Sequence, residues 1–252
     1  MTLNPSEFRL DGKTAIVTGA NTGIGQGIAV ALACAGAKIA AVGRSPMDQT
    51  SELIADGNML AIKADLSTTA DHQRIIDETL DWTGNLDILV NNAGIIRRSD
   101  AIDFTEDDWD AVIDTNLKSA FFLSQAAGKV MLPQAGGKII NVASILSFQG
   151  GIRIASYTAS KGGLAGITRL LSNEWAAKGV NVNAIAPGYV VSNNTQALRD
   201  DPDRSRAILE RIPAGRWGRP EDIGGAAVFL ASPAADYVHG TVLTVDGGWL
   251  GR

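Results

Sequence analysis

Seven short apolar runs recur along the chain with longer amphipathic segments between them, and this alternation restricts the possible folds more than any other feature. The runs are TAIVT (14–18), KIAAV (38–42), MLAIKA (59–64), DILVN (87–91), KIINVA (138–143), VNVNAIA (180–186) and TVLTV (241–245). Their length and β-branched content are those of strands, and most are apolar on both faces, as suits strands covered by helices on each side. Helical patterns lie near 25–36, 68–82, 105–131, 157–178 and 220–231. Strand, helix, strand at this rhythm builds right-handed crossovers and a parallel sheet. The expected fold class is α/β: a single doubly wound, Rossmann-type parallel sheet of about seven strands with helices on both faces.

A chain of 252 residues, 45% hydrophobic and 19% charged, suits one globular domain over 1–252. One segment departs from the rhythm. Residues 189–218 are polar, proline-punctuated and long for a connection, which suits a substrate lid. The net charge is −5 and no block of like charge stands out, so neither nucleic acid nor an anionic membrane is an expected partner. The start, MTLNPSEFRLDGK, shows no apolar leader pattern, and the longest apolar stretch is broken by Gly36 and Lys38, too short and polar to span a bilayer. Cys34 is the only cysteine, so no disulfide framework is expected. With only His72 and His239 beside it, no metal site is expected either. The chain reads as a cytoplasmic protein.

TGANTGIG (18–25) follows the first strand and opens a helix. Gly19, Gly23 and Gly25 stand where a tight turn, a close backbone approach to pyrophosphate and close helix packing are needed. The helix N-terminus adds free N–H groups and partial positive charge for phosphate. The spacing is G-x3-G-x-G rather than the usual G-x-G-x-x-G, but a strand precedes it and a helix follows it. At the end of the second strand, Gly43 stands where an NAD-selective site places an acid, and Arg44 follows. Missing acid and present base predict NADP(H) as the favoured cofactor, with NAD(H) as the alternative.

Tyr157 and Lys161 are four apart, so they share one face of a helix. A phenol titrating near 10 is a poor base at neutral pH, and a close ammonium favours the phenolate. Lowering its pKa by about two to three units needs roughly 3–4 kcal/mol, which one lysine and a cationic nicotinamide could supply together. Ser144 ends the fifth strand in NVAS, where a hydroxyl can hydrogen-bond a substrate oxygen at the carboxyl edge of a sheet.

TGANTGIG, Asp65 after the third strand, NNAG (91–94), Asn116, Ser144, Tyr157, Lys161 and the pair Pro187-Gly188 together resemble the short-chain dehydrogenase/reductase family over essentially the whole chain. The resemblance implies an NAD(P)-dependent oxidoreductase with Tyr157 as general acid/base and Ser144 polarising the reacting oxygen. It implies that Lys161 binds the nicotinamide ribose and lowers the tyrosine pKa, while Asn116 holds a water in a proton relay. For the dinucleotide it implies Gly19, Asn21, Thr22, Gly23, Ile24 and Gly25 in the phosphate loop and Arg44 at the ribose. Asp65 and Leu66 would lie by the adenine, and Asn91, Ala93 and Gly94 along the adenosine side. Pro187, Gly188, Val190 and Ser192 would lie by the nicotinamide, with Tyr157 and Lys161. Ser192 replaces the threonine of many relatives and keeps its hydroxyl.

Within the family, NNAGIIRR, SFQGGIR (147–153), 186–199, RIPAGRWG (211–218) and VDGGWL (245–250) are similar to sugar-acid dehydrogenases. The implied substrate is a hexonate-type acid, of the 2-dehydro-3-deoxygluconate or 2-deoxygluconate kind. Gluconate 5-dehydrogenation and 3-oxoacyl-carrier-protein reduction are the alternative enzyme readings, and a dinucleotide-sensing regulator is the non-enzyme one. Arg97 and Arg98 leave the carboxyl edge of the sheet, where ligands bind in open α/β folds. Successive side chains of an extended segment point opposite ways, so one can enter the pocket. Arg98 is the expected partner of the substrate carboxylate, with Arg97 structural and Gln149 and Arg153 as further substrate-side candidates. Relatives are generally homotetramers, and Trp249 with the helices at 105–131 and 157–178 offers apolar faces for one.

Overall fold

The computed structural model describes residues 5–252; residues 1–4, the first part of the start that shows no leader pattern, lie outside them. Its strands are β1 (Thr14–Thr18), β2 (Lys38–Gly43), β3 (Met59–Lys63), β4 (Ile88–Asn91), β5 (Gly137–Val142), β6 (Val180–Pro187) and β7 (Val242–Val245). All pair in parallel in the order β3-β2-β1-β4-β5-β6-β7. The chain winds outward from β1 to β3, then returns to lay β4 beside β1. That reversal opens a crevice at the strands' carboxyl ends.

The helices are α1 (Gly23–Cys34), α2 (Asp48–Ser51), α3 (His72–Thr83), α4 (Glu106–Ile113), α5 (Ser119–Met131), α6 (Ala155–Trp175), α7 (Gln196–Arg199), α8 (Pro202–Leu209) and α9 (Pro220–Ala231). Two cores result, one on each face of the sheet. Ala15 and Val17 of β1 face Ile28 and Leu32 of α1 and Ile223 and Leu230 of α9. Ile16, between them, joins the core built with Ile75 of α3, Leu123 of α5 and Leu171 of α6. Alternate residues of one strand thus serve opposite layers, which is why the run must be apolar throughout.

Local chemistry sets the ends. Thr105 caps α4 by accepting from the Asp108 N–H at 3.2 Å, and Glu106, Asp107 and Asp108 complement the positive end of the helix. Gly84 closes α3 in the left-handed region at φ 81°. Pro220 starts α9 at a position where its missing N–H costs nothing.

The structure departs from the sequence reading at three places. The helix expected over 105–131 is broken by a π turn at Asp114–Lys118. The irregular segment 189–218 holds helical turns at Asn193–Thr195, α7 and α8. Asp201 caps α8 through the N–H groups of Asp203 and Arg204, a polar signal masked by the lack of apolar periodicity there. Finally, Trp249 is buried rather than exposed, covered by Tyr189 and by the Arg211 guanidinium 4.0 Å from its ring centre. It offers no face to another copy.

The seam between α1 and α9 depends on two glycines. A Cβ on Gly27 would lie 2.7 Å from the Pro220 backbone, and one on Gly224 would lie 2.6 Å from the Ala31 Cβ. Gly27→Val should therefore destabilise the protein by about 1–3 kcal/mol through overpacking. A thermal melt should show a loss of roughly 2–4 °C per kcal/mol for a chain of this size. A melt superimposable on that of the unaltered protein would show that the seam has slack.

Candidate active site

Between the end of β1 and the start of α1 the backbone forms a phosphate-sized cradle. Gly19 and Gly23 sit at φ 65° and 58°, where an L side chain is disfavoured. A Cβ on Gly25 would collide with the Gly19 carbonyl. Thr22, the N-cap of α1, makes no side-chain cap bond, so the first-turn N–H groups keep their capacity for an anion. Thr50 of α2 braces the loop by donating to the Ala20 carbonyl at 2.8 Å, and Gln26 donates to Thr50 at 3.0 Å. A cleft of about 360 Å³ runs from this loop across the sheet edge. Gly19, residues 21–25, Arg44, Ala93, Gly94, Ser144, Tyr157, Lys161, Pro187, Gly188, Val190 and Ser192 all line it.

At the β2 end a Cβ on Gly43 would lie 2.7 Å from the Met47 Cε and 3.5 Å from the Asn21 Oδ1. No acidic side chain stands at this corner. Arg44 stands at the cleft wall with its side chain exposed. Asp65 is exposed and does not line the cleft. Its Oδ1 accepts from the Ser67 N–H at 2.9 Å, and chiefly that bond holds its carboxyl below the usual range, with Arg44 adding to it. Leu66 is buried away from the cleft. The residues around the cradle fit a dinucleotide: a glycine loop at a helix N-terminus, an open ribose corner and a cation beside it.

Ser144 follows β5, and Tyr157 and Lys161 lie one turn apart on α6, which packs along β6. The Lys161 Nζ is 5.5 Å from the Tyr157 ring centre and donates to the Val142 carbonyl at 2.6 Å. Burial drops its pKa to about 8. Burial also raises the Tyr157 pKa, against the lowering expected of Lys161. The groups that oppose the rise are the Ser144 hydroxyl and the Arg98 guanidinium. The rise has a plain cause: the phenol is itself buried, which disfavours its charged form.

Asn116 sits in the π turn, and its amide pairs with both backbone groups of Ile95. Its Oδ1 accepts the N–H at 2.8 Å and its Nδ2 donates to the carbonyl at 2.9 Å. A second Nδ2 bond reaches the Ser160 Oγ at 3.3 Å, so both amide protons are engaged. Asn91 does not reach the cleft. It is buried, donating to the Ser124 Oγ and the Asn141 Oδ1 at 2.9 Å each, and it ties β4 to β5 and α5. Its neighbour Asn92 takes the cleft side and donates to the Thr18 carbonyl at 2.8 Å. Alternation along the strand, which puts neighbours on opposite faces, was the signal that separates the two.

The four substrate-side candidates do not converge. Arg97 pairs with Asp108 through Nε at 3.0 Å. Arg153 pairs with Asp100 at 3.1 Å. Gln149 accepts the Trp249 indole N–H at 3.3 Å. None of the four lines the cleft; the Arg98 Nη2 donates to the carbonyl of Asn194, which does, at 2.8 Å, and its charge opposes the rise in the Tyr157 pKa. Asn193, Asn194 and Thr195 also line the cleft, although they lie in a polar stretch with no periodic pattern to mark them.

A phosphate cradle at the turning point of a parallel sheet, opening onto a serine, a tyrosine and a buried lysine, suits hydride transfer to or from a nicotinamide dinucleotide. The protein is an oxidoreductase of that class. It belongs to the short-chain dehydrogenase/reductase family, and a family model described as Enoyl-(Acyl carrier protein) reductase matches residues 19–250. The chain is 56% identical over 248 residues to 2-dehydro-3-deoxy-D-gluconate 5-dehydrogenase of Dickeya dadantii, covering 97% of this chain and 98% of that one. A solved structure from Agrobacterium tumefaciens, provisionally assigned as 2-deoxy-D-gluconate 3-dehydrogenase and holding NADP, shares 59% identity at a TM-score of 0.91. That match covers 98% of this chain and 99% of the other. A gluconate 5-dehydrogenase from Burkholderia cenocepacia, in complex with NADP and tartrate, is 39% identical at a TM-score of 0.91, covering 98% of each chain.

The buried lysine carries a linkage that can be measured. Its pKa of about 8 in the folded protein lies below its ordinary 10.5, so between those values the unfolded chain binds more protons. Stability from this group therefore rises with pH across that window, and the cost of burying the ammonium is fully present below about pH 8. Lys161→Met should abolish turnover yet stabilise the fold at pH 7, by on the order of 1 kcal/mol or more. Its advantage in Tm should shrink between pH 8 and 10. A constant offset, or a loss at pH 7, would show that the Val142 hydrogen bond outweighs the burial.

Proposed function

We propose that the protein is an NADP(H)-preferring dehydrogenase of hexonate-type sugar acids, of the 2-dehydro-3-deoxygluconate or 2-deoxygluconate kind, with gluconate as the nearest alternative substrate. The observation that carries the reading is Arg98. It has no carboxylate partner among the described residues, its Nη2 reaches the carbonyl of the cleft residue Asn194, and Arg97 and Arg153 are already paired. A guanidinium so placed suits a substrate carboxylate, with which it can form two parallel charged hydrogen bonds. The names of the sugar-acid relatives support the same substrate class.

A bound nicotinamide supplies the hydride acceptor for oxidation, or the donor for reduction. Oxidising a secondary alcohol also releases a proton, and the Tyr157 phenolate oxygen takes it. Ser144 Oγ donates to the same substrate oxygen as charge develops there. Lys161 holds the ribose and presents its ammonium to the phenol, while Asn116 anchors the Ile95 backbone beside the site. In this reading the chain is one domain whose segment 189–218 closes over the acid. Its base is pinned where Gly218 bridges Val190 and where Arg216 pairs with Asp222.

Four copies would assemble through α4, α5 and α6, where Trp109, Phe122 and Leu170 expose apolar surface. A cytoplasmic place of action accords with a chain that has one cysteine. Among the described residues, no helix is long and apolar enough to cross a membrane.

Two measurements test the reading. Arg98→Ala should raise KM for the acid at least tenfold, on the order of 1.4 kcal/mol, and leave cofactor affinity unchanged. A neutral sugar of the same shape should be much less affected. Equal losses on both substrates would show that Arg98 holds its loop rather than the ligand. The unaltered enzyme should prefer NADP(H), and Arg44→Asp should turn that preference toward NAD(H). An unaltered enzyme that favours NAD(H) would make Arg44 a surface residue.

A further inference from the structure

The loop after β4 and the loop after β5 meet beside the cleft in a contact that the proposed chemistry does not use. The Ser99 N–H donates to the Arg153 carbonyl at 3.1 Å, and the Arg153 Nε pairs with the Asp100 Oδ1 at 3.1 Å. Little apolar burial holds these loops together: Ile102 on one and Ile152 on the other are 92% and 78% exposed. This hydrogen bond and ion pair are the polar contacts between the two loops among the described residues.

Arg153 makes this contact at a cost. Its φ of 64° lies in the left-handed region, which it shares with only one other non-glycine residue among those described, Ala135. Glycine occurs at 150 and 151 of the same loop, yet the strained position carries an arginine. Its ion pair with Asp100 is 59% and 63% exposed, where such a pair adds little stability. Strain maintained for a pair that contributes so little to the fold points to a role in the site. The segment held is Ser99-Asp100, and the residue before it is Arg98.

We propose that Arg153 and Asp100 are positioning residues whose clasp fixes the 98–100 segment, so that Arg98 is presented to the substrate carboxylate between Tyr157 and the Asn194 carbonyl. The proposal rests on the reading that Arg98 takes that carboxylate. The guanidinium is long and has many rotamers, and a backbone fixed one residue away removes part of the freedom that binding must otherwise freeze.

The test compares Arg153→Gly, Asp100→Asn and the double variant, each assayed with the sugar acid and with its neutral analogue. Arg153→Gly relieves the left-handed backbone, so its Tm should be equal to or above that of the unaltered enzyme. Its KM for the acid should nevertheless rise by about three- to tenfold, with kcat within about twofold and the neutral substrate unaffected. Asp100→Asn should give a similar loss, and the double variant should be no worse than either single one, because both act through one contact. Arg153→Lys should recover part of the affinity. A KM for the acid that Arg153→Gly leaves unchanged, while Arg98→Ala still raises it, would overturn the positioning role alone. An Arg98→Ala enzyme with unaltered KM for the acid would remove the carboxylate reading and this proposal together. Losses that follow a fall in Tm and strike both substrates equally would reduce the clasp to a structural contact.

Discussion

One hydroxyl group stands where the two halves of the molecule divide. Thr18 Oγ1, at the end of β1, donates to the Val90 carbonyl at 3.2 Å and accepts the N–H groups of Asn92 and Ala93 at 2.9 and 3.0 Å. It stitches β1 to β4 at the place where the sheet changes direction. From there one branch of chain enters the glycine cradle and the other enters the arginine-bearing loop. A parallel sheet leaves these carboxyl ends without further partners of its own, and a short side chain that is both donor and acceptor satisfies them. The cleft exists because the two branches part there, and its floor is rigid because Thr18 and Asn92 close it.

The chemistry is set into this frame at an energetic cost. Lys161 and Tyr157 are placed where burial disfavours the charged form of each. Lys161 is kept in place by a single carbonyl, that of Val142. Such a pair is poorly stable by itself and well suited to gaining from a ligand that contacts both groups. Arg98 belongs to the same electrostatic system, since its charge favours the tyrosinate.

The residues proposed for the substrate side sit on loops rather than on the sheet. Arg98 reaches Asn194, Arg153 reaches Asp100, and Gln149 meets Trp249. Each contact joins segments far apart in the chain. The phosphate cradle, by contrast, is built within the first strand, its loop and the following helix.

The seven strands, their parallel pairing and the glycine loop were legible in the amino-acid sequence, because each depends on local periodicity or on the steric freedom of a glycine. So was the grouping of Ser144, Tyr157 and Lys161, since two lie one helical turn apart and the third ends a strand. The sequence read Asn91 and Asn92 as one motif. Only the packing of β4 against β5 and α5 decided that Asn91 is buried and Asn92 lines the cleft. On the substrate side the sequence favoured Arg98, with Arg97 as structural and Gln149 and Arg153 as further candidates. Only the tertiary structure paired Arg97 with Asp108, Arg153 with Asp100 and Gln149 with Trp249, and left Arg98 without a carboxylate among the described residues. A side chain's type is written in the sequence, but its hydrogen-bond partner is whatever the fold brings within about 3 Å, and hydrogen bonds act only at that range.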